Sequence, residues 1–341
     1  MADLHVRVPA STSNLGPGFD TLGMAVDLFL EAHFWFSPKP LRLERRGTLR
    51  PAGAPGGPAR AELAGLESSD LVLHALLETT RDIHMPCSRM APLTEPGDPT
   101  GLLRLDSTIP VGCGLGSSAA ARVAGRILGL LLRGAPVIRE DVLNWAAARE
   151  GHPDNAAPAV LGGLVVASLL PAGGVAAVPL PVSSRIGWAY AAPRQPLDTA
   201  AARAALPATV PLAAAARNAG RLALLLPALQ AGDGPLLAHA MDDELHVPWR
   251  LPLIAGAAAA RAAGLTAGAW AVTLSGAGSG LIAATPPARA AGVARAMADA
   301  FRAATGEADA VQHVLRVQPL GAEWGPGAAP DDPGGRRLAG G

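Results

Sequence analysis

The chain has 341 residues, 50% hydrophobic and 16% charged, enough for a real core and for two domains of roughly 100–200 residues each. Lysine plus arginine and aspartate plus glutamate both number 28, so the formal net charge is zero, and neither a nucleic-acid partner nor an anionic membrane surface is expected. Cys87 and Cys113 are too few for a disulfide framework, the start Met1-Ala2-Asp3 carries no leader pattern, and no apolar run approaches the roughly 18 residues of a span. A cytoplasmic protein is the expectation. Lys39 is the sole lysine, so a phosphate or carboxylate clamp has to use arginine or backbone.

In chain order, residues 4–8 alternate as a strand, and 9–20 read as a long polar connection broken by Gly and Pro, the kind of loop that tends to be functional. An alternating segment over 26–36 pairs with the first strand, and 50–57 is a Pro/Gly-rich surface loop. Ser69-Asp70 caps a helix running to Ile83, and 102–106 is a strand.

That strand feeds Val111-Gly112-Cys113-Gly114-Leu115-Gly116-Ser117-Ser118. Glycines at alternate positions let the backbone turn several N–H groups toward one bulky anion. A helix follows at once, with Val123, Ile127, Leu130 and Leu131 at helical spacing and Arg122, Arg126 and Arg133 off that stripe. Ser117 and Ser118 read as its N-cap, and the free N–H groups and dipole make that end an anion site for a nucleotide triphosphate. The loop is neither a P-loop, since Gly116 stands where Lys is required, nor a G-x-G-x-x-G fingerprint.

A shorter helix over 140–149 ends in the polar turn Glu150-Gly151-His152-Pro153-Asp154-Asn155, and 164–170 is a strand. The character changes beyond 171–174. A strand over 186–191, helices over 199–263, strands at 270–274 and 281–284 flanking Ser275-Gly276-Ala277-Gly278, a helix over 288–303 and a strand over 311–317 predict an α+β unit with an antiparallel sheet. Residues 325–341 are Gly/Pro-rich and read as a disordered tail.

Four of these stretches together resemble the small-molecule kinases of the galactokinase, homoserine kinase, mevalonate kinase and phosphomevalonate kinase superfamily. Residues 110–120 and 274–278 look like the phosphate loop and C-terminal glycine loop of the whole superfamily. Pro9-Ala10-Ser11-Thr12-Ser13-Asn14-Leu15-Gly16-Pro17-Gly18-Phe19-Asp20 and the turn at 150–155 are similar to the homoserine kinases within it. The resemblance implies a two-domain α+β kinase fold: an N-terminal ATP-binding domain over 1–170, a ferredoxin-like C-terminal domain over 171–320, and a tail over 321–341. It implies ATP-dependent phosphorylation of the L-homoserine hydroxyl, and it leaves a homodimer open. Another small-alcohol kinase of the superfamily, or an inactive nucleotide-binding relative, remains as the alternative.

The resemblance also implies roles. Pro110, Val111, Gly112, Cys113, Gly114, Leu115, Gly116, Ser117, Ser118, Ala119 and Ala120 would hold ATP, with Ser118 and Glu150 as Mg²⁺ ligands. Oxygen donors of this kind suit Mg²⁺, which takes one or two protein groups besides phosphate. Asn14 and Asp20 would take the substrate ammonium, His152 would line the substrate, and Arg203 and Arg250 would clamp its carboxylate through planar forks. Asn155 and Thr199 would stand by the reacting hydroxyl. Asparagine cannot take a proton, so the phosphate itself accepts it, with Asp154 as the fallback base. Two departures stand out: Ser13 where alanine is commoner, and Ser279-Gly280 where Pro-Thr is usual.

Overall fold

The computed structural model describes residues 4–49, 59–61, 70–83, 100–306 and 309–326. The expected loop at 50–57, Ser69, Cys87 and most of the expected tail lie outside the described residues.

The first unit is built on β1 (Leu4–Asn14) and β2 (Gly18–Pro40), a long antiparallel pair that continues through β3 (Arg42–Gly47) and β4 (Ala59–Ala61). Next come α1 (Leu71–Asp82), capped by the Asp70 side chain on the Leu73 N–H, and β5 (Thr100–Ser107). Helices α2 (Ser117–Leu132), α3 (Arg139–Glu150) and α4 (Ala156–Leu161) and the hairpin β6 (Leu164–Leu169) and β7 (Val175–Leu180) complete it. The α2 stripe of Val123, Ile127 and Leu128 is fully buried, and Gly125 lets α1 approach so closely that a Cβ there would lie 2.3 Å from the Val72 carbonyl oxygen.

The second unit begins at β8 (Gly187–Ala192) and continues through α5 (Thr199–Ala204), α6 (Leu212–Ala231), α7 (Gly234–Ala240), α8 (Val247–Arg250) and α9 (Ala257–Thr266). It closes with β9 (Ala271–Leu274), β10 (Leu281–Thr285), α10 (Ala290–Thr305) and β11 (Val311–Leu315). Its antiparallel sheet has the order β11-β8-β10-β9, the ferredoxin-like arrangement expected. Val293, Met297 and Phe301 recur every four residues on α10 and fill a separate core beneath that sheet. Among the described residues no helix is long and apolar enough to cross a membrane.

Several expectations need correction. Residues 9–14 are strand rather than loop: Pro9 lies past the stretch paired with the last strand, β12 (Glu323–Pro326), and at a register shift, the two settings in which a strand tolerates proline. Ser11, Thr12 and Ser13, part of the expected polar connection, are fully buried, because hydrogen bonds to the other loops of the site satisfy their hydroxyls. The strands β3, β4, β7 and β12 were not anticipated, being short or broken by Pro and Gly. Since β7 pairs with β6 and β12 pairs with β1, the first sheet reaches past residue 170 and takes back the start of the expected tail.

Candidate active site

A cleft of about 850 Å³ lies between the two units, lined by the glycine loop, the β1–β2 turn, the 150–155 turn, α5, Arg250 and the 275–278 turn. Ordinary small-molecule pockets span roughly 300–1,000 Å³.

The glycine loop is anchored by its carbonyl groups. Gly112 O accepts from Leu197 N (3.2 Å), Cys113 O from the Tyr190 hydroxyl (2.6 Å), Gly114 O from Ser275 Oγ (2.6 Å) and Leu115 O from Ser11 N (3.2 Å). In a trans peptide the next N–H points opposite to its carbonyl, so fixing these oxygens on the scaffold side aims the N–H groups of 113–116 away from it. Among the described residues those N–H groups have no protein acceptor. The α2 N-cap is Gly116, in the left-handed region at φ 65°, and not Ser117 or Ser118; no side chain caps the helix, so its first turn also keeps free donors. The result is a fixed nest of N–H groups at a helix start, suited to a polyphosphate.

Ser118 and Glu150 converge beside it. Ser118 Oγ donates to Glu150 Oε2 at 3.0 Å, while Arg122 Nε holds Oε1 at 2.6 Å. Two oxygen ligands at about 2.0–2.1 Å on neighbouring corners of an octahedron lie about 2.9 Å apart, so this pair fits a hard divalent cation. Arg122 was missed as a site residue. It stands four positions after Ser118, on the same face of α2, which is the signal that could have found it.

Opposite the nest, the end of β1, the turn after it and the start of β2 hold the only non-glycine residues at positive φ among those described: Asn14 (69°), Leu15 (46°) and Asp20 (56°). Strain of this kind gathers where side chains must be aimed. Asn14 Oδ1 accepts from the Asp20 N–H at 3.0 Å and its amide donates to Gly276 O at 2.8 Å, so one residue ties the turn to the second unit. Asp20 presents both oxygens to Arg203, at 2.9 and 2.8 Å. The hydrogen bond and charge of Asp20 raise the Arg203 pKa despite partial burial.

Arg250 is only 2% exposed, yet it lines the cleft. Its Nε donates to Ala202 O at 3.2 Å, and it has no carboxylate partner among the described residues. Burial, and then the nearby Arg203, pull its pKa below the usual arginine value. Both guanidiniums lie over the Phe19 ring, at 5.5 Å for Arg203 and 5.0 Å for Arg250, and the fully buried His246 stacks on the same ring at 5.1 Å. Phe19 and His246 were not anticipated, since neither residue carries a sequence signal for supporting a clamp.

In the 150–155 turn, His152 Nδ1 and Asp154 Oδ1 lie 2.5 Å apart, and Asp154 is 2% exposed. Burial depresses the His152 pKa, but the hydrogen bond and charge of Asp154, with Asp20 and Glu150, outweigh it, and the net shift is upward. Both ends of the Asn155 amide are committed: Nδ2 donates to Ser13 Oγ at 2.9 Å, and Oδ1 accepts from Ser11 Oγ at 3.0 Å. The Ser13 departure thus supplies an acceptor that alanine lacks. Thr199 is exposed on the cleft rim at the first turn of α5. The cleft therefore gathers every residue singled out as a substrate, metal or catalytic candidate, along with most of the glycine loop; Cys113 and Leu115 are buried behind it as its anchors.

Comparison with known proteins agrees with this architecture. The model of the GHMP kinases N terminal domain matches residues 72–163, and that of the GHMP kinases C terminal matches 225–303. The chain is 37% identical to the homoserine kinase of Parasynechococcus marenigrum, covering 95% of this chain and 96% of that one. It is 42% identical to that of Moorella thermoacetica, covering 80% and 84%. The crystal structure of homoserine kinase from Cytophaga hutchinsonii superposes with a TM-score of 0.76 at 27% identity, covering 95% and 98%. An L. major mevalonate kinase shares the fold, with a TM-score of 0.63 at 17% identity over 92% and 96% of the two chains. The two-unit fold and the phosphate nest define a small-molecule kinase of the GHMP class. Within that class the chain belongs to the homoserine kinase family.

Proposed function

We propose that the chain transfers the γ-phosphoryl group of ATP to the side-chain hydroxyl of L-homoserine, with Mg²⁺ as the companion cation. The observation that carries the substrate is one cleft holding a nest of backbone N–H groups beside a carboxylate, Asp20, and two guanidiniums, Arg203 and Arg250. That is a receptor for a polyphosphate next to one for a zwitterion. The identity with proteins named homoserine kinase supports the same reading.

In this reading the loop from Gly112 to Ser118 receives the phosphates, and donors already fixed by their anchored carbonyls need no reorganisation during transfer. Leu49, Leu71, Val72 and Ile109 give the cleft an apolar arm for the purine. Ser118 and Glu150 would hold Mg²⁺, which supplies positive charge to the phosphates. Asp20 and Asn14 take the substrate ammonium, Arg203 and Arg250 its carboxylate, and His152 and Thr199 line the space toward the hydroxyl. Phosphoryl transfer leaves little covalent chemistry for a protein, so alignment of hydroxyl and phosphate dominates. With its amide spent on Ser11 and Ser13, Asn155 is a positioning residue that braces the turn against β1.

The hydroxyl proton passes to a phosphate oxygen. Asp154 lines the cleft, but its Oδ1 is engaged by His152 Nδ1 at 2.5 Å and by the Asn155 amide at 3.4 Å, so its task is to hold the imidazole. Asp154→Asn is expected to cost less than about tenfold in kcat, below the roughly 10²–10⁴-fold of a general base. It should also lower the His152 pKa, because the neighbouring negative charge is gone; kinetics with an NMR titration of the ring check both. A 10³-fold loss would make Asp154 the base. Arg203→Leu is expected to raise KM and lower kcat together, since a loosened carboxylate also misplaces the hydroxyl. The loss of one charged contact, about 1.5–3 kcal/mol, corresponds to about 10–150-fold in kcat/KM.

The function is tested by ADP release with L-homoserine, mevalonate, shikimate and galactose, with and without Mg²⁺. Turnover is expected with L-homoserine and Mg²⁺ alone. Equal turnover with another alcohol, or none with any, overturns the reading.

A further inference from the structure

Away from the cleft, the outer face of the first sheet carries a second convergence of metal-ligating groups. His5 and Arg7 alternate with buried Val6 and Val8 on β1, and Glu31, His33 and Trp35 alternate with buried Ala32 and Phe34 on β2. Residues two apart on a strand share a face, and His5 is the direct cross-strand partner of His33, so strand geometry alone brings two imidazoles and a carboxylate together. The rings stack at 4.5 Å between centroids. Glu31 Oε2 lies 3.7 Å from His33 Nε2 and 4.0 Å from His5 Nε2, and the three ligand atoms all fall within 4.8 Å of one another.

We propose that His5, His33 and Glu31 form a binding site for a zinc-class divalent transition metal, clipping β1 to β2 on the face away from the cleft. Two imidazoles and one carboxylate leave a fourth position for water. Ligands at about 2.0–2.1 Å around a tetrahedral ion sit about 3.3 Å apart, so binding has to draw Glu31 Oε2 closer to both rings and rotate the stacked imidazoles until their Nε2 atoms converge on one point. His5 Nε2 is sealed from solvent and has no hydrogen-bond partner among the described residues, which leaves an unpartnered ring nitrogen 4.0 Å from Glu31 Oε2. Arg7 Nε approaches the other Glu31 oxygen at 3.3 Å, leaving Oε2 to face the rings, and an outer contact of this kind orients a ligating carboxylate. None of the three residues lines the cleft.

The test is calorimetric titration of the full-length chain with Zn²⁺ alone, on the parent and on His5→Gln, His33→Gln and Glu31→Gln. The parent is expected to bind one equivalent that each variant weakens by more than about tenfold, the least that even outer-sphere changes at zinc sites cost. Zn²⁺ should raise the unfolding temperature of the parent and not of the variants, and Mg²⁺-dependent turnover should be unchanged in all four. Circular dichroism establishes that the variants fold, and a Co²⁺ spectrum of the parent with tetrahedral d–d bands reports the site without any substitution. Asp20, His152 and Asp154 form a second possible ligand group inside the cleft, so the titration is repeated with ATP and L-homoserine present. An isotherm identical in parent and variants, or one abolished by those substrates, overturns the proposal, as does the absence of binding.

Discussion

Valine at Gly114 should abolish ATP binding and turnover while leaving both cores folded. Gly114 sits at φ 76°, where a β-branched residue is a severe outlier. The space is also occupied: a Cβ there would lie 1.9 Å from the Ser275 carbonyl oxygen and 3.0 Å from that of Gly278. Both neighbours are backbone, so the loop has to move, and moving it breaks the Ser275 hydrogen bond to Gly114 O and turns the adjacent N–H groups out of the nest. The damage is to phosphate binding because the hydrophobic stripes of α2 and α10 are untouched. Equilibrium dialysis with ATP, alongside circular dichroism and thermal unfolding, separates the two effects. Retained nucleotide affinity in a folded variant would reduce the loop to a turn between a strand and a helix.

Periodicity on α1, α2 and α10 and alternation on β5 could be read from the sequence, as could the polar end signals of α3 and the short apolar runs of β6, β8 and β10, and all of these fall within a few residues of their expected places. The site was legible where chemistry forces residue type, as in the alternating glycines and the acidic and amide groups of 9–20 and 150–155. What escaped depends on pairing at a distance. Ser11, Thr12 and Ser13 look like loop residues until Asn155 and Ser275, more than 140 positions away, arrive to satisfy their hydroxyls. The strands β7 and β12 carry little apolar alternation because each borrows its stability from a neighbour already in the sheet. The α2 cap was misread for a local reason: serine is the better N-cap by side-chain chemistry, but the approach to the nest requires a left-handed residue, and Gly116 supplies it.

Arg250 gives the sharpest contrast between a structural and a binding role. A buried guanidinium is costly unless it is paired with an anion, and among the described residues this one has only the Ala202 carbonyl as hydrogen-bond acceptor and the Phe19 ring beneath it, with no carboxylate in ion-pair range. If the clamp reading holds, the missing partner is the substrate carboxylate, and the desolvation cost is carried by the free enzyme to make that contact strong. Arg250→Met should therefore leave the unfolding temperature unchanged or raise it, because an apolar side chain of similar length replaces an uncompensated charge. The same variant should lose about 10–150-fold in kcat/KM for L-homoserine, the equivalent of about 1.5–3 kcal/mol for one charged hydrogen bond, with ATP affinity kept. Arg250→Lys should recover little of that loss, since an ammonium cannot reproduce a fork lying over Phe19 and meeting two carboxylate oxygens. A purely structural arginine predicts the reverse pattern: lower thermal stability in Arg250→Met, with kinetics restored to the parent values once the folded fraction is counted. Steady-state kinetics and calorimetric unfolding on the same preparations decide between the two.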